Sequence, residues 1–276
     1  MTERLADISA RIDGIRQLGS VVNAMKGIAS ARAHVARAQV VAVDSYAATL
    51  ATAMAQVLGA GDRTTPPAGH IGLLVFGAEQ GFAGAFSERV LDTIATETVA
   101  PVFLVGTRGL SVAASRDLKP HWHTALPSQS TTIPKMAEAI TAAVFAAVAQ
   151  GQIDSLDVIH TSWLSGRAEV VRHRLFPLDL SALPAVDGAA VLTQLPANAL
   201  RDSIGQDYLH ALITRAALHA FAAENEARMQ AMTAAGHQIT EELTVFEAKL
   251  RRVRQEAITA EIIELGTGTA AAGQAT

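Results

Sequence analysis

Apolar side chains recur at gaps of three and four residues over both ends of the chain. The series near the C-terminus is strictly three, four, three, four and contains Met229, Met232, Gly236, Ile239, Leu243, Phe246, Leu250, Val253 and Ala257. The series near the N-terminus contains Leu5, Ile8, Ile12, Ile15, Leu18, Val22, Met25 and Ile28. Because an α-helix turns every 3.6 residues, this spacing keeps one apolar stripe facing a second helix. The pattern predicts that the two ends pair as an antiparallel coiled coil.

Both helices are predicted to be long. No proline occurs before Pro66, so one helix extends from Thr2 to about Leu58, and the other from about Arg201 to Glu264. At about 1.5 Å per residue each reaches roughly 85 Å or more, several times an average globular helix. Such lengths are typical of a shaft.

The middle of the chain alternates between strand and helix patterns. The expected strands are 71–76, 102–105, 156–162 and 168–176, and the expected helices are 87–98, 107–115 and 133–150. This order predicts a small, mainly parallel, Rossmann-like α/β sheet inserted between the coiled-coil helices. The expected organisation is an N-terminal shaft helix (1–60), the inserted α/β domain (68–180), a connecting segment (181–200), a C-terminal shaft helix (201–266) and a flexible tail (267–276).

Composition changes this picture only slightly. Half of the residues are apolar and only 4% are aromatic, so much of the apolar content is alanine, which favours close helix packing. A formal charge of −4 does not indicate nucleic acid as the main partner. The absence of cysteine excludes disulfides and thiolate chemistry. No secretory signal and no stretch of roughly 18–20 apolar residues is recognised, so a soluble protein is expected, which still permits a peripheral place on a membrane complex.

The turn Gly77–Gly84 lies between a predicted strand and a predicted helix, where a phosphate could meet helix N-terminal amides. It lacks both the G-x-G-x-x-G spacing and a Lys-Ser/Thr ending, and Glu79 would oppose an anion. A structural tight turn is therefore favoured over nucleotide binding.

His121 and His123 raise a metal hypothesis, because two imidazoles at i and i+2 would share one face of a strand. No nearby ligands complete a site, so a solvent-facing pair is favoured, and no metal or cofactor is expected. Ser, His and Asp occur in no recognisable catalytic motif. Arg251, Arg252 and Arg254 crowd the C-terminal helix; a solvated face and a surface for an acidic partner are equally compatible with them.

Several segments resemble the gamma subunit of F-type ATP synthase. They are the stretches 8–16, 23–26, 29–32 and 37–39 of the first helix; 223–232, similar to "SE-x-x-ARM-x-AM"; and 254–264, similar to "RQ-x-x-IT-x-E-I-x-E". The turns 76–86 and 105–109 are more weakly similar to two turns of the family. The resemblance spans nearly the whole chain in order, and it is strongest at the two ends.

The resemblance implies a non-catalytic rotor subunit. It implies a central stalk that transmits torque between an ion-translocating membrane ring and the catalytic hexamer of alpha and beta subunits. The implied partners are the alpha, beta and epsilon subunits and the c-ring, with one copy per complex, no nucleic acid and no cofactor. The implied location is peripheral, at the cytoplasmic face of the bacterial inner membrane.

The resemblance also implies contact residues. Arg254, Gln255 and Thr259 match positions where the shaft meets a catch loop of a beta subunit, and Met25 with Lys26 match a stretch that faces a moving acidic segment of beta. The chain departs from the family at Leu18–Asn23 and near 181–200, which indicates a divergent branch, such as an alternative bacterial synthase. The alternative function is a stand-alone α/β nucleotide-binding or scaffold protein that dimerises through its coiled coil.

Overall fold

The computed structural model describes residues 2–58, 69–94, 100–164, 166–185 and 192–273. Helix α1 is Thr2–Leu58 and helix α5 is Ala197–Gly273. Helix α5 therefore starts before residue 201 and continues past residue 266, where a flexible tail was expected. The extension first passes through residues 266–269, a Gly-Thr-Gly-Thr stretch of weak helix formers, and then through the alanines at 270–272, which are strong ones. Of the expected segments, residues 1, 59–60, 68, 95–99, 165, 186–191 and 274–276 lie outside the described residues.

The middle of the chain forms one five-stranded sheet in the order β3-β2-β1-β4-β5. The strands are β1 Ile71–Phe76, β2 Val102–Val105, β3 Trp122–Thr124, β4 Ser155–Leu164 and β5 Arg167–Phe176. Strands β1 to β4 are parallel, and β5 pairs antiparallel with β4, with Val75 opposite Leu104 on one side and Ile159 on the other. The mainly parallel α/β prediction is confirmed, and β3 is a short strand that the sequence did not predict.

Three helices connect the strands: α2 Phe86–Leu91, α3 Thr107–Ala114 and α4 Ile133–Ala149. Helix α2 is shorter than the expected 87–98, and residues 95–99 lie outside the described part. It ends because Thr93 and Ile94 form tight i−3 hydrogen bonds to Val90 and Leu91, and Thr93 Oγ1 also donates to the Val90 carbonyl.

Alternate residues of β1 enter two different cores. Leu74 and Phe76 pack on the face covered by α1, α4 and α5, whereas Leu73 and Val75 pack on the face covered by α2 and α3. Successive side chains of a strand point to opposite faces, so a continuous apolar run needs cover on both sides. The long helices supply one of those covers.

The chain divides into two compact units. One, called the α/β unit below, contains residues 29–229, and the other contains residues 1–28 with 230–276. The first is larger than the expected inserted domain 68–180, because parts of both long helices bury Ala36, Val40, Ile213 and Phe221 against the sheet. The domain boundaries expected from the sequence were placed at the ends of the helices. In the structure, the boundary between the two units falls inside both long helices.

In the second unit the N- and C-terminal helix segments pack through an apolar seam. Its core contains Ile8, Ile12 and Val253, with Leu5, Leu243, Phe246 and Leu250 packed beside them. Every seam residue expected from Met232 to Ala257 is buried or half-buried.

Two seam positions expected on α1 are wrong. Leu18 and Ile28 are each 54% exposed. The seam instead passes from Ile15 to Gly19, where a β-carbon would lie 3.3 Å from Ile239 Cγ2. A gap of four from Ile15 keeps the stripe in line, and the sequence pattern passed over Gly19 because the larger apolar residue Leu18 fits a gap of three from Ile15.

By length and mean hydropathy alone, two helical stretches of the described chain could cross a membrane, Arg4–Leu58 and Ser130–Ala149. This corrects the expectation that no stretch qualifies. In the second stretch Ile133, Ile140 and Val144 are fully buried in the sheet core, which accounts for their apolar character in a folded protein.

Candidate functional site

The predicted contact residues at the C-terminal end lie on the outside of α5. Arg254, Gln255 and Thr259 are all exposed, while Val253 faces the seam and is 3% exposed. The Thr259 hydroxyl donates to the Gln255 carbonyl at 2.9 Å, so both residues belong to one helical ridge. The structure thus makes these three side chains accessible to a partner.

The same ridge carries apolar side chains that the sequence prediction did not single out. Ile258, Ile262 and Ile263 are 52%, 63% and 60% exposed. Their spacing places them beside Arg254, Gln255 and Thr259 on successive turns. The sequence alone could have identified these three isoleucines, because they are large apolar residues of α5 that do not belong to the heptad series. Exposed apolar residues grouped on one face are typical of an interaction surface.

The clustered cations of α5 are not equivalent. Arg252 donates to Glu256 at 3.0 Å within the helix, whereas the described contacts include no ion pair for Arg251 or Arg254. Arg254 therefore retains its hydrogen-bonding capacity for a partner, and its planar fork suits a carboxylate.

Met25 and Lys26 are half-buried, at the edge of the seam. Lys26 lines a groove of about 200 Å³ together with Gly19, Val22, Asn23, Met232, Thr233, Gly236, His237 and Thr240. Gly236 helps to open the groove, because a β-carbon added to it would have no atom within 4 Å. Thr240 lies 14 residues before Arg254, roughly 21 Å along a helix at about 1.5 Å per residue. The structure does not bring the two predicted contact groups together.

The glycine-rich turn after β1 is occupied by a carboxylate of the protein itself. Glu224 of α5 accepts hydrogen bonds from the amides of Glu79 at 3.0 Å and Gln80 at 3.1 Å. Arg228, one turn later, pairs with Glu224 and donates to the carbonyls of Gln80 and Gly81. The side chains of Glu224 and Arg228 are only 3% and 6% exposed. Both residues lie in the stretch 223–232 that resembles the family, and sequence reasoning assigned neither of them a role.

Glu79 extends this network to the sheet edge. Its carboxylate accepts from the amide and hydroxyl of Thr107, at the start of α3, and from the amide of Leu126 at 2.8 Å. A carboxylate at a helix N-terminus satisfies amides that have no partner within the helix and complements the helix dipole. Glu79 was expected to oppose an anion, and the structure gives it this capping role.

The turn has no room for a nucleotide. The cavity beside Glu79 and Glu224 measures about 10 Å³, enough for a single water at most. A β-carbon on Gly77 would lie 2.8 Å from Gly109 Cα, so the turn is packed directly on α3. Because the amides of residues 77–80 are occupied and the adjacent cavity is this small, the turn supports the structural interpretation over nucleotide binding.

The surroundings of His121 and His123 are not those of a metal site. His121 packs edge-on against Phe103, with ring centroids 5.6 Å apart, and His123 is exposed on β3. Among the residues that the structure describes, no group of three or more His, Asp or Glu side chains is arranged to hold a metal ion.

A cluster of three other histidines lies between the sheet and α5. His160 is 3% exposed, and its ring lies 5.6 Å from those of both His173 and His219. Burial lowers the pKa of His160 to about 3, with further lowering by the nearby His219, His173 and Arg215, against a hydrogen bond from Nδ1 to the Thr161 carbonyl. Burial also lowers the pKa values of His173 and His219. These residues are neutral at pH 7 and were not singled out from the sequence.

Comparison with known proteins gives a consistent result over the whole chain. The family model described as ATP synthase matches residues 4–272. The ATP synthase gamma chain of Moorella thermoacetica is 28% identical over 281 residues, covering 96% of this chain and 97% of that protein. The ATP synthase gamma chain of Frankia casuarinae is 26% identical over 301 residues and is covered completely, as is this chain.

Solved structures show the same fold. A chain from the rotor of the Euglena gracilis mitochondrial ATP synthase superposes with a TM-score of 0.64 at 14% identity, covering 94% of this chain and 100% of the other. The chain therefore belongs to the ATP synthase gamma chain family, as a non-catalytic subunit of the central stalk of F-type ATP synthase.

Proposed function

We propose that the exposed ridge of α5 is the surface through which this stalk subunit acts on the beta subunits of the catalytic hexamer. The ridge itself is the observation that carries the proposal. Arg254, Gln255 and Thr259 are exposed beside exposed isoleucines, whereas the seam residues on the neighbouring face of α5 are buried or half-buried. A surface that mixes an arginine with apolar side chains matches a partner that offers both a carboxylate and an apolar wall.

Met25 and Lys26 form a second proposed contact with beta. The groove around Lys26 is open to an acidic side chain, and the ammonium group supplies the complementary charge. The groove around Lys26 is lined by Thr240 of α5, which is far from Arg254 along that helix. The groove and the ridge therefore meet different parts of the partner.

The remaining partners follow from the family. We propose that the α/β unit binds the epsilon subunit and the c-ring, and that alpha and beta surround the paired helices. One copy per complex, peripheral at the cytoplasmic face of the bacterial inner membrane, fits a rotor that must be asymmetric to drive three catalytic sites through different states. The relatives named ATP synthase gamma chains support this assignment.

The test is ATP hydrolysis by alpha and beta subunits co-expressed with this chain. We expect a single copy of the chain to co-purify with the hexamer. Arg254→Ala and Gln255→Ala are expected to reduce hydrolysis, since each removes a polar contact worth about 1 kcal/mol, or roughly 1.5–3 kcal/mol where a charge takes part.

The matched control is Arg252→Ala, which removes the same side chain two residues away on a different face, where it already pairs with Glu256. Equal hydrolysis by all of these variants would exclude the ridge as a contact surface. A stable homodimer that ignores alpha and beta would exclude the stalk assembly altogether.

A further inference from the structure

The most buried charged groups of the α/β unit connect α5 to the sheet. Glu224 and Arg228 lie on the last turns of α5 that belong to this unit, and each hydrogen bond that they make to a described residue outside their own helix is with the turn 79–81. Within the helix, Arg228 also donates to the Asn225 side chain at 3.1 Å. The arginine fork is thus held by α5 and by the turn at the same time.

The turn is itself fixed to the rest of the sheet edge. Glu79 ties it to the start of α3 and to Leu126, and Ser87 Oγ accepts from the Ala78 amide at 3.0 Å. The first helix is tied in as well, because Arg37 of α1 donates to Glu226 of α5 at 2.8 Å. Polar contacts therefore join α1 to α5, and a separate set joins α5 to the turn at the carboxyl edge of the parallel strands.

Directional contacts differ from apolar ones in what they resist. The core between α5 and the sheet consists mainly of alanine, leucine and phenylalanine side chains, such as Ala217, Leu218 and Phe221. Apolar burial is non-directional and opposes separation more than sliding or turning of a helix along its own axis. Buried, charge-assisted hydrogen bonds fix both distance and orientation, and they cost free energy when strained without replacement.

We propose that Glu224 and Arg228 are positioning residues that lock α5 to the sheet edge, so that torque on the helix passes to the α/β unit without slippage. The inference rests on the proposed attachment of this unit to the membrane rotor. Each residue acts through the turn that it holds.

The test uses the assembled synthase in inverted membrane vesicles. ATP hydrolysis and the membrane potential generated by it are measured together, since a potential-sensitive dye reports pumping of either protons or sodium ions. Glu224→Gln keeps the shape of the side chain but replaces one of its two acceptor oxygens by an NH2 group, which leaves one turn amide without an acceptor. Arg228→Lys keeps the charge but loses the fork. We expect both variants to hydrolyse ATP at near the normal rate and to generate a potential several-fold smaller per ATP.

A double variant that exchanges the two charges distinguishes the proposed lock to the turn from an ion pair that acts only within the helix. The double variant Glu224→Arg with Arg228→Glu keeps an i,i+4 pair on α5 but places a cation against the amides of Glu79 and Gln80. We expect it to remain uncoupled. Arg116→Ala is the matched control, because it removes a partly exposed ion pair to Asp92 at 2.7 Å in the same unit without touching α5.

Three results would overturn the inference: normal coupling in Glu224→Gln or Arg228→Lys, rescue by the charge exchange, or parallel loss of subunit assembly, hydrolysis and pumping in every network variant. The last would show that the network only stabilises the fold. Failure of the unaltered chain to support pumping would instead contradict the proposed function, so the two failures are distinguishable.

Discussion

At the turn after β1, the backbones of Gly77 and Gly109 approach so closely that neither residue has room for a β-carbon. A β-carbon added to Gly77 would lie 2.8 Å from Gly109 Cα, and one added to Gly109 would lie 3.0 Å from Gly77 Cα. The opposing atoms belong to the backbone, which cannot move aside cheaply. Gly81, four residues later in the same turn, has nothing within 4 Å of the equivalent position. The glycines of one turn thus have different roles.

Gly77→Ala is therefore expected to destabilise the α/β unit by about 1–3 kcal/mol through overpacking. Gly81→Ala is the internal control and is expected to change stability by less than about 1 kcal/mol. Thermal unfolding followed by circular dichroism compares the two variants. Equal melting temperatures would show that the turn does not pack on α3 as described.

At the scale of elements, the histidine cluster makes the packing of α5 on the sheet sensitive to acid. The groups that face it are His160 on β4, His173 on β5, His219 and Arg215 on α5, Asp44 on α1 and Asp157 on β4. Nε2 of His173 is buried without a hydrogen-bond partner in the described part of the chain. Most of this environment, Arg215 in particular, disfavours an added proton.

A folded-state pKa below the unfolded value means that the unfolded chain binds protons more readily, so stability falls as the pH drops below about 6.5. With a folded pKa of about 3, His160 alone is expected to cost roughly 2 kcal/mol at pH 5 relative to pH 8. Urea unfolding at both pH values measures the loss. His160→Phe is expected to reduce this pH dependence, and an unchanged dependence would contradict the assignment.

The helix pair offers a second prediction at this scale. Ile12→Ala removes a side chain that is 3% exposed in the seam and is expected to destabilise the pairing by about 2–5 kcal/mol. Leu18→Ala removes a 54% exposed side chain and is expected to cost less than about 0.5 kcal/mol. Hydrogen exchange of the helix amides measures both. A loss from Leu18→Ala as large as that from Ile12→Ala would instead support the seam that the sequence alone predicted, which contained both residues.

At the scale of the whole molecule, truncation distinguishes the ridge from the seam. Ending the chain after Leu243 removes Val253, so Ile12 and Ile8 lose their core partner along with the ridge. Ending it after Glu264 leaves the complete seam and the residues 254–264. We expect the first truncation to impair ATP hydrolysis by the co-expressed complex strongly and the second to retain most of it.

Much of the architecture could be predicted from the sequence, because the periodicity of apolar residues depends only on neighbouring positions in the chain. The apolar runs of β1 and β2 and the spacing of α3 and α4 identified those elements almost to the residue. The family resemblance identified the stalk subunit, which the comparisons confirm. The residues proposed to contact beta remain predictions, although the structure shows Arg254, Gln255 and Thr259 to be exposed.

Only the tertiary structure decided which residues are tied together across the chain. The hydrogen bond between the Glu79 amide and Glu224 joins residues that are 145 positions apart in the sequence. No local sequence pattern encodes such a contact. The seam position at Gly19 and the cluster of His160, His173 and His219 also depend on what lies opposite each residue. Spacing along the chain determines helix, strand and apolar face, whereas burial, partner and pKa depend on groups that only folding brings together.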